Sequence, residues 1–278
     1  MTTRVAGRVG FVVPTRNSAR TIAACLASLR AQEHPDCEIV VVDNHSDDRT
    51  REIAATYADE VVVSGPERSA QRNHGARISS GSILVFVDAD MRFEPGVAGD
   101  VVRLLGPGGD ERVGAVVVPE HAFGEGFWAR CRVLEKELYL GDPAVEAARA
   151  FRAGDFEAAG GYDESLTGGE DWELPDRVIA GGRILGRTES RVWHDEGRIR
   201  LRSQFSKKRY YGRGVAAYLS RSGNGAHRPL VRRSLLRRPL RLARRPHVTA
   251  GLAVLKAVEL SGIASGVLEA RRRRSPVA

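Results

Sequence analysis

Asp88 and Asp90 stand one residue apart at the end of a short apolar run, Ile83-Leu84-Val85-Phe86-Val87. A run this short, rich in β-branched and aromatic residues, predicts a strand buried on both faces rather than a helix. The strand is expected to stop on the two carboxylates, and along a strand that spacing points both the same way. Open α/β sheets bind their ligands at such strand ends. Two like charges there repel unless a cation lies between them. A hard divalent ion carrying phosphate oxygens, held by one or two carboxylates, meets that need. The alternative is a solvated acid pair opening a loop, with Asp90 capping a helix ahead of Pro95.

The elements that would position this pair follow from periodicity. Residues 9–14 predict a first strand, and residues 19–31 a helix with Ile22, Leu26 and Leu29 on one stripe. Residues 38–42 predict a second strand, residues 49–58 a helix, residues 61–63 a third strand and residues 68–78 a third helix. This alternation is that of a parallel sheet with right-handed crossovers. Beyond the acid pair, a helix from Pro95 to about residue 105, a strand over 113–118 and a helix over 126–140 are expected. Weak strands over 150–152, 183–185 and 190–193 and a helix over 170–180 complete this part.

Such a sheet brings four strand ends to one edge, with polar residues at each. The first offers Thr15, Arg16 and Asn17, and the second Asp43 and Asn44. The helix after the third carries Arg68, Gln71, Arg72 and Asn73. A nucleotide suits this mix, with a carboxylate for base or ribose, arginine for phosphate and a metal for pyrophosphate. No Gly-x-Gly-x-x-Gly follows the first strand and no Walker A sequence is present, which argues against an NAD-type domain and a P-loop. Glu170 and Asp171 open the helix over 170–180, where acids suit the helix dipole, so capping alone would explain them. Trp172 beside them could stack on a sugar or pack in the core. Glu120 could face an acceptor or sit in a plain loop.

Several of these pieces occur in a familiar order. They are Val12-Val13-Pro14-Thr15-Arg16-Asn17, Val42-Asp43-Asn44-x-Ser46-x-Asp48-x-Thr50, Gln71-Arg72-Asn73-x-Gly75 and Phe86-Val87-Asp88-Ala89-Asp90, followed by Gly160-Gly161-Tyr162-Asp163-Glu164 and Gly169-Glu170-Asp171-Trp172-Glu173-Leu174. Together they resemble the family 2 glycosyltransferases, inverting nucleotide-sugar enzymes of GT-A fold, over about residues 8–195. The resemblance implies an α/β fold with a Rossmann-like mixed sheet flanked by helices. It implies that Pro14, Thr15, Arg16, Asn17, Asp43, Asn44 and Arg72 line a nucleoside pocket. Asp88, Ala89 and Asp90 match the Asp-x-Asp motif that places Mn2+ or Mg2+ and the sugar diphosphate, and His194 stands where some relatives have a further metal ligand. Asp171 matches the general base. Glu170, Trp172 and Glu120 fall on the acceptor side. The Gln-x-x-Arg-Trp motif of processive members is absent, so a single sugar transfer is implied, with a UDP-sugar as the favoured donor. A nucleotidyltransferase of similar fold would carry Gly and Lys after the first strand, and the Val13–Asn17 stretch has neither. A non-catalytic sugar- or lipid-binding module would not need Asp88, Asp90 and Asp171 together.

Charge divides the chain. The net charge is +8. Residues 198–278 hold 21 of the 43 Lys+Arg and two acids, whereas residues 1–197 hold 33 of the 35 acids. A catalytic domain over 1–197 and a basic helical extension over 198–278 are expected, the latter a lid, a dimer contact or a contact with an anionic membrane surface. Nucleic-acid binding also fits the charge, but no nucleic-acid motif is present, so none is expected. Cys25, Cys37 and Cys131 are widely spaced and suggest neither disulfides nor a zinc site. With no signal-like start and no run of about 18 uncharged apolar residues, the expected location is cytoplasmic, with peripheral attachment to the inner face of the membrane, and no spanning helix. The acceptor expected is a hydroxyl on a lipid-linked glycan intermediate or a small natural product.

Overall fold

Continuous burial marks the centre of the sheet. β1 (Val5–Thr15) is covered on both faces from Val9 onward, as its unbroken apolar sequence predicts. The computed structural model describes residues 2–166, 168–221 and 239–274. After β1 come α1 (Ile22–Arg30), β2 (Cys37–Asp43), α2 (Thr50–Ala54), β3 (Glu60–Val63), α3 (Arg68–Ile78), β4 (Gly81–Phe86), β5 (Met91–Phe93), α4 (Val97–Leu105) and β6 (Val113–Val117). Then follow β7 (Glu120–Glu125), α5 (Gly126–Tyr139), β8 (Ala148–Arg152), α6 (Ala153–Ala158), α7 (Glu170–Ala180), β9 (Ile184–Arg187) and β10 (Val192–Arg198). The C-terminal part holds α8 (Leu201–Arg221), α9 (Pro239–Ala243) and α10 (Pro246–Arg274).

The main sheet has the order β3-β2-β1-β4-β8-β6-β9. β3, β2, β1 and β4 are mutually parallel, β8 runs antiparallel between β4 and β6, and β9 returns parallel to β6. A three-stranded sheet has the order β5-β10-β7, with β10 antiparallel to β5. Ile22, Leu26 and Leu29 of α1 are buried in one core cluster with Phe11, Val41 and Val85, and Phe11 meets Phe93 edge-on at 6.0 Å. A second cluster joins Phe86, Phe151, Phe156 and Tyr162. Each fully buried side chain of this size contributes about 1.5–3 kcal/mol. Gly75 lets α3 lie close on the sheet, since a side chain there would strike Val12 and Val42.

Three expectations need correction. The strand bearing the acid pair ends at Phe86, and Asp88 to Asp90 form a turn closed by the Met91 amide donating to the Asp88 carbonyl at 3.0 Å. The ladder with β1 runs out at the Val12–Phe86 pair, so strand alternation does not orient the two carboxylates. Glu120 opens a strand, β7, rather than a loop, and His194 lies inside β10, opposite Met91. The two short strands β5 and β7 have too few apolar residues for periodicity to reveal them.

The described chain divides into two compact units, one of residues 1–120, 147–165 and 170–195, and the other of residues 121–146, 166–169 and 196–278. The second thus takes in α5 as well as the basic C-terminal part. Its core joins Cys131, Leu134 and Leu138 of α5 to Val248, Leu252 and Leu255 of α10. Buried beside them is an ion cluster. Arg132 pairs with Glu135 and Glu259, and Lys256 Nζ lies 2.6 Å from Glu135 and 2.5 Å from Glu259. α8 and α10 run side by side at backbone contact. A Cβ at Gly212 would meet the Ile263 carbonyl, and one at Gly266 the Arg209 carbonyl. The Pro246–Ala270 part of α10 is, by length and composition, apolar enough to cross a membrane. That departs from the expectation of no such helix, because Lys256 and Glu259 are the only charges in its middle. Of the expected basic extension, residues 222–238 and 275–278 lie outside the described residues.

Burial would raise the Glu135 carboxyl, but Arg132 and Lys256 outweigh it and hold the group down to about 2 from an ordinary 4.5. A depressed carboxylate stabilises the fold above its unfolded value, and that stability is lost as pH falls toward the folded value. Glu135→Gln should therefore cost about 3 kcal/mol at neutral pH and lose less further stability than the parent between pH 4.5 and 2. Denaturant melts across that range test this, and parallel pH curves for both proteins would contradict it.

Candidate active site

Three consecutive residues of α3 stitch the site together, because successive helical side chains point in different directions. Gln71 donates from Nε2 to the carbonyls of Thr15 (3.0 Å) and Val42 (2.6 Å), tying the ends of β1 and β2. Arg72 donates from Nη1 to Asp171 Oδ1 (2.7 Å) and from Nη2 to Asp88 Oδ1 (2.9 Å). Asn73 donates to the Tyr162 carbonyl (2.8 Å) and to Glu164 (2.9 Å), and accepts from the Tyr162 amide (2.8 Å). Gly160 and Gly161, with φ of 82° and 70°, make the turn that presents Tyr162. The Tyr162 ring lies 5.0 Å below the Arg72 guanidinium.

At the first two strand ends, Thr15 pairs in register with Asp43. Asp43 is fully buried and accepts from the Ser46 amide (2.8 Å) and hydroxyl (2.5 Å), which shapes the loop after β2. Asn17, at φ 50°, accepts from the Asp47 amide, and its own amide donates to Ser46 Oγ. Asn44 donates to the Pro66 carbonyl at 2.5 Å. Pro14 is buried and Arg16 exposed. The Thr15 hydroxyl is buried without a hydrogen-bond partner among the described residues.

Around the acid pair, opposite charges alternate. Asp88 meets Arg72, Arg149 (Oδ2 to Nη1, 3.5 Å) and Arg68 (3.9 Å). Arg149 continues to Glu120 at 2.5 Å, Glu120 to His194 Nδ1 at 2.9 Å, and His194 Nε2 to Asp90 Oδ2 at 3.2 Å. Glu170 lies 3.6 Å from both Arg68 and Arg72. Burial opposes ionisation of Asp88, but Arg72 and Arg149 outweigh it and hold its carboxyl well below the usual range. Burial, then the Asp171 charge, push the Glu170 carboxyl up. Burial would lower His194, yet its hydrogen bonds to Asp90 and Glu120 raise it to about 10.

Every residue expected at the site, Ala89 included, thus falls at the strand ends, in the acid-pair turn, in α3, at the start of α7, or on β7 and β10. Trp172 follows Asp171 in α7 and is half-buried. Arg149 was not anticipated. Its signal is a charged residue inside the apolar strand Ala148-Arg149-Ala150-Phe151, which stays buried only if paired.

Among the described residues, no group of three or more His, Cys, Asp and Glu side chains stands ready for a metal ion. Asp90 Oδ1, however, is buried with no partner. A single orphaned carboxylate oxygen suits an ion such as Mg2+, which takes one or two carboxylates and completes its shell with phosphate oxygens and water. The residues present therefore fit a divalent cation that arrives with a diphosphate.

The parallel half-sheet, with its antiparallel insertion and carboxylates at its edge, is a mixed α/β sheet of GT-A type. Residues 11–156 match the family described as glycosyl transferase family 2, and the chain belongs to that family. It is 30% identical over 244 residues to the pre-mycofactocin glycosyltransferase of Mycobacterium tuberculosis, covering 80% of this chain and 50% of that protein. The chain therefore spans half the length of that relative. In fold it is similar to the mannosyltransferase PcManGT from Pyrobaculum calidifontis, whose structure holds GDP-Man and Mn2+ (TM-score 0.62, 21% identity, 96% of this chain and 88% of that one). It is also similar to S. aureus TarS 1-349 in complex with UDP-GlcNAc (TM-score 0.51, 16% identity, 97% and 93%).

Removing the Arg72 charge would leave Asp88 and Asp171 facing each other's surroundings without their shared partner. Arg72→Met should lower stability by about 3 kcal/mol. Arg72→Lys should recover only part, since an ammonium cannot span two carboxylates as the guanidinium fork does. Denaturant unfolding of the three proteins decides this, and an Arg72→Met protein as stable as the parent would contradict it.

Proposed function

We propose that this chain transfers one sugar from a nucleotide-diphosphate sugar to a hydroxyl acceptor with inversion at the anomeric carbon. The observation that carries the reading is the sharing of Arg72 by Asp88, on the donor side, and Asp171, the base. One guanidinium then sets the separation of the two carboxylates on which the chemistry depends. Pro14, Thr15, Arg16, Asn17, Asp43 and Asn44 line the nucleoside end, and the unpartnered Thr15 hydroxyl is available to it. Asp88, Ala89 and Asp90 receive the diphosphate, with Asp90 and His194 nearest the cation. Glu170, Trp172 and Glu120 border the acceptor.

Asp171 Oδ1 is engaged by Arg72, while its side chain is 41% exposed, which leaves Oδ2 for the acceptor. There it takes the proton from the acceptor hydroxyl as that oxygen bonds to the anomeric carbon. The bond from that carbon to the diphosphate oxygen breaks, and the electron pair leaves with the nucleoside diphosphate. Mn2+ or Mg2+, when bound, offsets charge on that leaving group. Arg68, Arg72, Arg149 and a protonated His194 face Asp88, Asp90, Glu120, Glu170 and Asp171, so acids already outnumber bases. The diphosphate adds further negative charge, and a divalent cation restores the balance. UDP is the favoured nucleotide. The acceptor is a lipid-linked glycan intermediate or a small natural product, and the chain acts on the cytoplasmic side, at the inner face of the membrane.

Thermal shift with UDP, GDP, CDP and TDP, each with and without manganese, tests the donor side. A rise with UDP that requires manganese is expected. A rise with GDP alone would move the donor to a GDP-sugar, and no rise with any, from a folded sample, would contradict the reading. Asp171→Asn should keep the nucleotide shift and lose transfer by about 10²–10⁴-fold. Full transfer by this variant would remove Asp171 as the base.

A further inference from the structure

α10 is apolar on its outward face as well as its inward one. Val248, Leu252, Leu255, Glu259, Gly262 and Gly266 face the second unit's interior, and Glu259 is only 2% exposed in the ion cluster with Arg132. The opposite face carries Ala253, Val254, Ala257, Leu260, Ala264 and Leu268, with the small Ser261 among them, all exposed. Val254 is 47%, Leu260 44% and Leu268 56% exposed. An ordinary helix on a water-facing surface turns its charges outward and its apolar stripe inward. Here the outward stripe is uncharged for about 22 Å, long enough to mark an interaction surface.

Charge selects the occupant. Arg244 is exposed just before α10, and among the described residues Arg241 donates to the Glu137 carbonyl at 3.4 Å and Arg245 lies 3.9 Å from the Glu137 carboxylate. Leu240 beside them is 74% exposed. The sequence of α10 closes on four consecutive arginines, residues 271–274. With basic clusters at both ends, a second copy docked on this face would set arginine against arginine in either orientation. An anionic lipid surface would neutralise both clusters while taking up the apolar stripe.

We infer that the outward face of α10 lies in the headgroup region of an anionic membrane, with the helix along the surface and its arginine ends on acidic headgroups. Lys256 and Glu259, held in the buried ion cluster with α5, keep the helix from crossing. The inference deepens the membrane-face location proposed above and rests on that part of it. Loss of lipid binding would leave the nucleotide shift, and with it the sugar-transfer reading, intact.

Cosedimentation of the full chain with vesicles tests it. The parent should pellet with vesicles of phosphatidylcholine and phosphatidylglycerol, less so as salt rises, and stay in solution with pure phosphatidylcholine. Leu260→Glu/Leu268→Glu should weaken binding on the order of tenfold or more, while its circular dichroism and melting point stay near the parent's. Val63→Glu, an exposed position on β3, is the control and should bind as the parent does. Failure of the parent to pellet with anionic vesicles would overturn the inference. So would equal binding by the double variant, or a parent dimer that the double variant dissociates, which would make this face an interface between copies.

Discussion

A guanidinium fully buried in protein has to be paired, because an isolated charge there costs far more than one domain's net stability. Arg72 meets that requirement through Asp88 and Asp171 at once. The consequence reaches three elements. α3 must carry the arginine inward, the turn after β4 must bring Asp88 under it, and α7 must start where Asp171 can reach it. Gln71 and Asn73 fix the same helix to the strand ends and to the Gly160–Gly161 turn, so the arginine has little freedom to choose other partners. The strand ends, the acid-pair turn and the start of α7 are thereby held together by charge pairing.

The second unit meets the same requirement in another way. Arg132, Glu135, Lys256 and Glu259 satisfy one another between α5 and α10. Close backbone contact at Gly212 and Gly266 then locks α8 beside α10. With its charges used inside, α10 has only small and apolar residues left to show outside. That distribution is a cost in water, which a lipid surface would relieve.

Much of the first unit was legible in the chain. Short unbroken apolar runs locate β1 to β4 and a 3.6-residue stripe locates α1, and the four strand ends they imply do carry polar residues. The order of motifs points to Asp88, Asp90, Arg72 and Asp171 by number. What could not be read depends on contacts distant in sequence. The turn at Asp88 arises because the ladder with β1 ends, which no local pattern announces. Arg149 enters the site from an antiparallel strand inserted beside β4, and its pairing with Asp88 and Glu120 spans 61 and 29 residues. The outward face of α10 was hidden because the helix is apolar on both sides, so composition alone shows a mildly apolar helix. Its partnership with α5 follows from burying Glu135 and Glu259 together.

We propose that the carboxylates at the β4 turn accept a divalent cation only with a diphosphate, since Asp88 is committed to arginines and, among the described residues, one Asp90 oxygen has no partner. Electron paramagnetic resonance of free manganese measures this directly. The chain alone should leave the free-ion signal nearly unchanged, chain and nucleoside diphosphate together should deplete it beyond what the nucleotide does, and Asp90→Asn should abolish the extra depletion. Tight manganese binding without nucleotide, or an undiminished effect in Asp90→Asn, would contradict it.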